Sequence, residues 1–168
     1  ILVWAYLNEL TVDESLLLFD KETYKKLGYM DEWSNSTEEL RRAFEDCSLD
    51  YSQWIRGVQR GGQFMYGINH PMPAALTYLA RQLAEREFSS HVQSLREPNG
   101  EPKDYLSHIV WPVYPEIAEE LGMEGDYHWR VGRKRANLRE FAKRCYQSWD
   151  LIGLRNLNIK YVPDSVTR

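Results

Sequence analysis

Apolar positions along most of this chain recur at three- and four-residue intervals, broken by short polar or glycine-marked stretches. Thr11-Val-Asp-Glu14 has the form of a capping box, in which side chain and backbone satisfy each other's free donors, so the apolar run at 16–19 predicts a short helix. A second helix over 21–27 ends at Gly28, a residue suited to the left-handed position that closes helices. Ser36-Thr-Glu-Glu39 repeats the capping-box pattern ahead of Leu40, Ala43, Phe44 and Cys47, with Arg41, Arg42, Glu45 and Asp46 left for the wet side. Tyr51, Trp54, Ile55 and Val58 carry the 3.6-residue period on to Gly61-Gly62.

The pattern then changes. Gln63-Phe-Met-Tyr-Gly-Ile68 is apolar, aromatic-rich and bounded by turn residues, which predicts a short buried strand. Pro73 suits a first helical turn, and Ala75, Leu76, Leu79, Ala80 and Leu83 form one apolar stripe behind it, so the segment reads strand, sharp turn, helix. Two prolines make residues 97–103 an exposed loop, while Pro115-Glu-Ile-Ala-Glu-Glu-Leu-Gly122 is a two-turn helix. Asn137 caps a last helix through Leu138, Phe141, Ala142, Cys145, Tyr146 and Trp149, and the tail from Asp150 shows little period. The expectation is a mainly α fold with a minor β-sheet, built as one domain over 1–168.

Composition narrows the function classes. A net charge of −4 offers no global field for nucleic acid, and no apolar run approaches the ~20 residues of a membrane span. Cys47 and Cys145 read as free thiols, which fits a reducing, cytoplasmic setting. His91, His108 and His128 lack metal-ligand spacing, so no metal is expected. The apolar opening, residues 1–7, has no basic segment before it and resembles neither a native start nor a signal peptide. It is expected to pack against material supplied partly from elsewhere, an N-terminal segment or a second copy of the chain.

Two constellations carry candidate chemistry. His70, where a strand meets a helix start, would be held rigidly and titrates near neutrality, as a general base must, and Asn69 beside it could donate to a developing oxyanion. The alternative is that both residues only satisfy backbone groups in a tight turn before Pro71. Arg130, Arg133, Lys134 and Arg135 place four cations in six residues of an acidic protein, a set able to grip phosphates, with a solvated charged loop as the alternative. Among the six Trp residues most are expected in the core, with room for a sugar platform.

The ordered set Leu27-Gly28-Tyr29, Glu39-Leu40-Arg41, Phe64-Met65, Asn69-His70-Pro71, Ala80, then residues 114–122 and Leu138-Arg-Glu-Phe141 resembles the C-terminal half of the WcbI-like capsular polysaccharide biosynthesis family. The resemblance spans about four-fifths of the chain. It implies a largely helical body akin to SGNH hydrolases, coenzyme A or acetyl-coenzyme A as substrate, and O-acyl transfer to a sugar acceptor. In enzymes of that type the catalytic His closes an Asp-x-x-His segment, and Gly67-Ile-Asn-His70 looks like a variant that lacks the orienting carboxylate. No Gly-Asp-Ser or Gly-Asn-Cys motif supplies the nucleophile, so the resemblance gives the base without its partner. A non-catalytic sugar or nucleotide-sugar binding module, or a structural helical half completing a partner's core, are the competing expectations.

Overall fold

Side chains that satisfy the free N–H groups of a first turn decide where half of the helices described below begin. In the computed structural model, which describes residues 1–88, 104 and 106–156, the elements in chain order are α1 (Leu2–Leu7), α2 (Val12–Leu16), α3 (Lys21–Lys26), α4 (Glu32–Asp46), α5 (Tyr51–Gln59), β1 (Met65–Gly67), β2 (His70–Pro71), α6 (Pro73–Glu87), β3 (Ile109–Val110), α7 (Pro115–Glu120), β4 (His128–Val131), β5 (Lys134–Asn137) and α8 (Leu138–Leu151). The fold is mainly α with minor, antiparallel β pairing. Among the described residues no helix is long and apolar enough to cross a membrane. The loop expected at 97–103 and the Ser89-Ser90-His91 stretch lie outside the described residues.

The chain divides into two compact units, one made of Ile1–Trp33 with Pro112–Arg168 and the other of Ser34–Trp111. In the first, the opening segment is the helix α1, which buries Leu2, Ala5 and Tyr6. Tyr6 donates to Asp150 Oδ1 at 2.7 Å and stands edge-on to Tyr146 of α8, so the first turns of the chain pack on its last long helix. Both halves of the capping box form at Thr11 with Glu14 and at Asn137 with Glu140. The helix that follows Thr11 stops at Leu16, short of the expected Phe19, and leaves Leu17 largely exposed. Gly28 and Gly122 take the left-handed conformation just past α3 and α7, as their positions predict. An aromatic core fills this unit: the Trp129 and Phe141 rings stack at 4.3 Å, and Tyr24 and Trp129 are buried. A Cβ on Gly125 would stand 2.5 Å from that of Ala118, so only glycine lets this segment lie against α7.

In the second unit α4 corrects the sequence reading. It starts at Glu32, four residues before the predicted cap Ser36, so Ser36 lies inside the helix. Because the backbone is already helical there, Thr37 turns its hydroxyl back to the Ser34 carbonyl at 3.1 Å rather than capping forward. Of the predicted apolar face only Phe44 is fully buried, and Cys47 is an exposed free thiol. Asp50 caps α5 by accepting from the Gln53 N–H at 2.9 Å. Phe44, Trp54, Val58 and Ala75 form the core, and the Trp54 indole N–H donates to the Ala75 carbonyl at 3.0 Å. The buried side of α6 runs through Ala75 and Gln82, while Leu76 and Leu83 of the predicted stripe are exposed.

Candidate functional site

The strand expected over 63–68 is shorter and less buried than its composition suggests. Only Met65–Gly67 is extended, half-buried throughout, and it forms a tight hairpin with His70–Pro71. Ile68 and Asn69 make the two-residue turn, and neither has a positive φ. Turns of that kind splay the strands they join, in contrast to the mirror-image turns that match strand twist. The ladder is irregular accordingly: Gly67 pairs with His70 and Met65 with Pro71, leaving Tyr66 as the extra residue. Its carbonyl accepts the Trp111 N–H at 2.8 Å, and its hydroxyl donates to Asp104.

Pairing fixes what faces His70. Residues directly opposite in an antiparallel pair point to the same side, with Cβ positions ~4.5–5.5 Å apart. The side-chain position of Gly67 is open, and a Cβ there would lie 3.6 Å from Trp111 Cδ1. The Trp111 indole, 49% exposed, therefore borders the open side-chain position of the residue paired with His70. The glycine at position 67 makes this room. Among the described residues neither the His70 ring nor the Asn69 amide makes a hydrogen bond, so the ring is held by its strand and is not tied to the turn backbone. Gln63 anchors the surroundings, donating to the Met65 and Trp111 carbonyls at 2.6 and 2.8 Å.

The basic cluster belongs to the other unit and is a hairpin, not a loop. β4 and β5 pair in register, with Trp129 opposite Ala136 and Arg130 opposite Arg135. Gly132, at φ +60°, occupies the first turn position, which a two-residue hairpin loop of this hand fills with glycine. Strand alternation splits the cations. Arg130 and Arg135 share one face, Lys134 shares the other with Val131, and Arg133 sits at the tip. Like charges directly opposite each other weaken a hairpin, so the Arg130–Arg135 pair costs the ladder some stability. Asn137, at the end of the same strand, caps α8 by accepting the Glu140 N–H at 3.0 Å.

A third group escaped the sequence reading because its members are far apart in the chain. Tyr24 and Tyr127 hydroxyls meet at 2.7 Å, and Tyr127 lies 2.6 Å from Glu116 Oε2. Burial, then hydrogen bonding, pushes ionisation of Tyr24 and Tyr127 far above the ordinary tyrosine range, and burial moves Tyr114 beside them up to about 12. These hydroxyls are thus neutral donors at any ordinary pH, and the chain Tyr24–Tyr127–Glu116 satisfies polar atoms of an aromatic core.

Comparison with known proteins gives the class: the family of the polysaccharide biosynthesis enzyme WcbI, whose model matches residues 1–87, just over half of the chain. The chain belongs to this family, and its role lies in polysaccharide biosynthesis. The match includes Asn69-His70-Pro71 and ends at Glu87, so the segments at 114–122 and 138–141 that also carry the resemblance lie beyond it, as does the basic hairpin. No curated protein and no solved structure matches the chain.

Proposed function

We propose that the chain acts in transfer of an acyl group, acetyl in the simplest case, from acyl-coenzyme A to a sugar hydroxyl during assembly of a capsular or surface polysaccharide in the cytoplasm. One observation carries the reading: within a segment matched by the family, His70, whose imidazole makes no hydrogen bond among the described residues, stands opposite Gly67, whose open side-chain position borders the half-exposed Trp111 indole. A pyranose stacks its apolar face on an indole, and such stacking would aim a hydroxyl at the ring nitrogen. His70 takes the hydroxyl proton as the oxygen attacks the thioester carbonyl. The Asn69 amide donates to the oxyanion, the C–S bond breaks, and the proton passes from the imidazolium to the leaving thiolate. Separately, on the first unit, Arg130 and Arg135, with Arg133 at the tip, are the phosphate contacts for coenzyme A, and Lys134 contributes long-range charge only.

The test is calorimetric titration of the protein with coenzyme A, followed by mass spectrometry of a sugar acceptor incubated with acetyl-coenzyme A. Arg135→Ala is expected to weaken coenzyme A binding by about 1.5–3 kcal/mol, an effect that shrinks in high salt, whereas Lys134→Ala should stay within about 0.5 kcal/mol. Equal effects of the two substitutions would return the hairpin to a solvated charged surface. A second reading, a sugar-binding module without catalysis, is favoured by one specific observation: among the described residues no carboxylate orients the His70 ring. Saturable acceptor binding with no acyl product at any pH would establish it.

A further inference from the structure

Where α5 and α6 cross, the second unit carries a cleft of about 220 Å³ that is polar, beside an apolar core. Its floor is rigid for identifiable reasons. A Cβ at Gly57 would stand 2.7 Å from Tyr78 Cε1, so only glycine lets the phenol ring lie across α5. Gln82, 9% exposed, spends its amide on Asp50, accepting from that residue's N–H at 3.0 Å and donating to its carbonyl at 2.8 Å. The charged side groups that line it are mainly cationic: Arg56 of α5, Arg60 just past its end and Arg81 of α6, with one acid, Glu85.

On α4 Arg41 pairs with Glu38 and Glu45, and Arg42 with Glu38. Arg56 and Arg60 stand one helical turn apart, where like charges repel, and among the described residues neither makes an ion pair. These two guanidinium groups beside a fixed floor, in a chain of net charge −4, form a local field whose sign opposes that of the whole molecule.

We infer that this cleft binds the oxyanion of a sugar-sized acid, a uronate carboxylate or a sugar phosphate. The forked donors of arginine match both groups. The volume lies below the ~300–1,000 Å³ of sites that enclose drug-sized ligands, which suits one saccharide unit and leaves no room for the whole of coenzyme A. The inference stands apart from acyl transfer and does not need His70 to be a base.

Calorimetry of the full chain with glucuronate, glucose 1-phosphate, inorganic phosphate and glucose tests it. Either sugar acid should bind saturably and more weakly as salt rises, with glucose silent. Glucuronate alone would identify a carboxylated saccharide, glucose 1-phosphate alone a phosphate ester, and both together a site that reads any sugar oxyanion. Arg56→Gln with Arg60→Gln should lower affinity about tenfold or more, and Glu85→Gln should raise it a few-fold. Both variants change exposed positions, and retained melting temperatures will show that they fold. Binding unchanged in the arginine variant, no saturation by either sugar acid, binding of inorganic phosphate alone, or equal binding of glucose would each overturn the assignment.

Discussion

The His70 ring makes no hydrogen bond among the described residues and its strand position lies opposite Gly67, so its removal should touch chemistry more than stability. His70→Ala is expected to lower acyl transfer about 10²-fold or more while the protein melts within a few degrees of the parent. His70→Asn keeps a hydrogen-bonding side chain without the titrating nitrogen. Near-normal transfer by that variant across neutral pH would end the general-base assignment. Trp111→Ala should separate from both by raising KM for the acceptor with a smaller change in kcat, and Trp111→Phe should recover much of the loss. At this scale the sequence marks Asn69-His70-Pro71 as a site, because a turn motif after an aromatic run is local. It cannot single out Trp111 among six Trp residues, because what brings that one to Gly67 is a hydrogen bond across the fold from residue 111 to residue 66.

Elements were legible where one short segment contains the whole cause. Thr11, Asn137, Gly28 and Gly122 mark helix ends in the sequence and do so in the structure. Ser36 shows the limit, since a capping pattern cannot tell whether the helix has already begun upstream. The β4–β5 hairpin hid for another reason: Trp129 and Ala136 are the only positions it buries, and charge obscures an alternation that short. Asn137 serves both elements, ending one and capping α8, and its substitution measures their coupling. Asn137→Ala should cost about 1 kcal/mol by chemical denaturation. If β5 depends on the same residue, coenzyme A affinity should fall as well, whereas Thr11→Ala should cost similar stability with affinity intact.

Across the whole molecule the buried tyrosines predict how alkali acts. Tyr114 ionises near 12 in the folded chain against about 10 when unfolded, and Tyr24 and Tyr127 are shifted in the same direction. A raised folded value means that the contribution is complete below pH 10 and is lost as pH climbs toward 12, by up to about 1.4 kcal/mol per pH unit for each such group. Unfolding measured by denaturant between pH 9 and 12 should therefore show stability level at first and then falling, on the expectation that exposed tyrosines titrate normally. Absorbance titration should resolve a class of phenols that ionises only with unfolding. A single class titrating near 10 with no loss of structure would contradict the buried core.

The first unit is discontinuous: besides one another, α1–α3 pack on residues beyond 111, while 34–111 is one unbroken stretch. On the ribosome this imposes an order. At about 5–20 residues per second, α1 waits on the order of ten seconds for Tyr146 and Asp150 of α8, while the central stretch emerges with every contact of its own unit at hand. Nascent chains stalled soon after residue 111 should then leave the α8-facing side of α1 open to chaperones until α8 has been made.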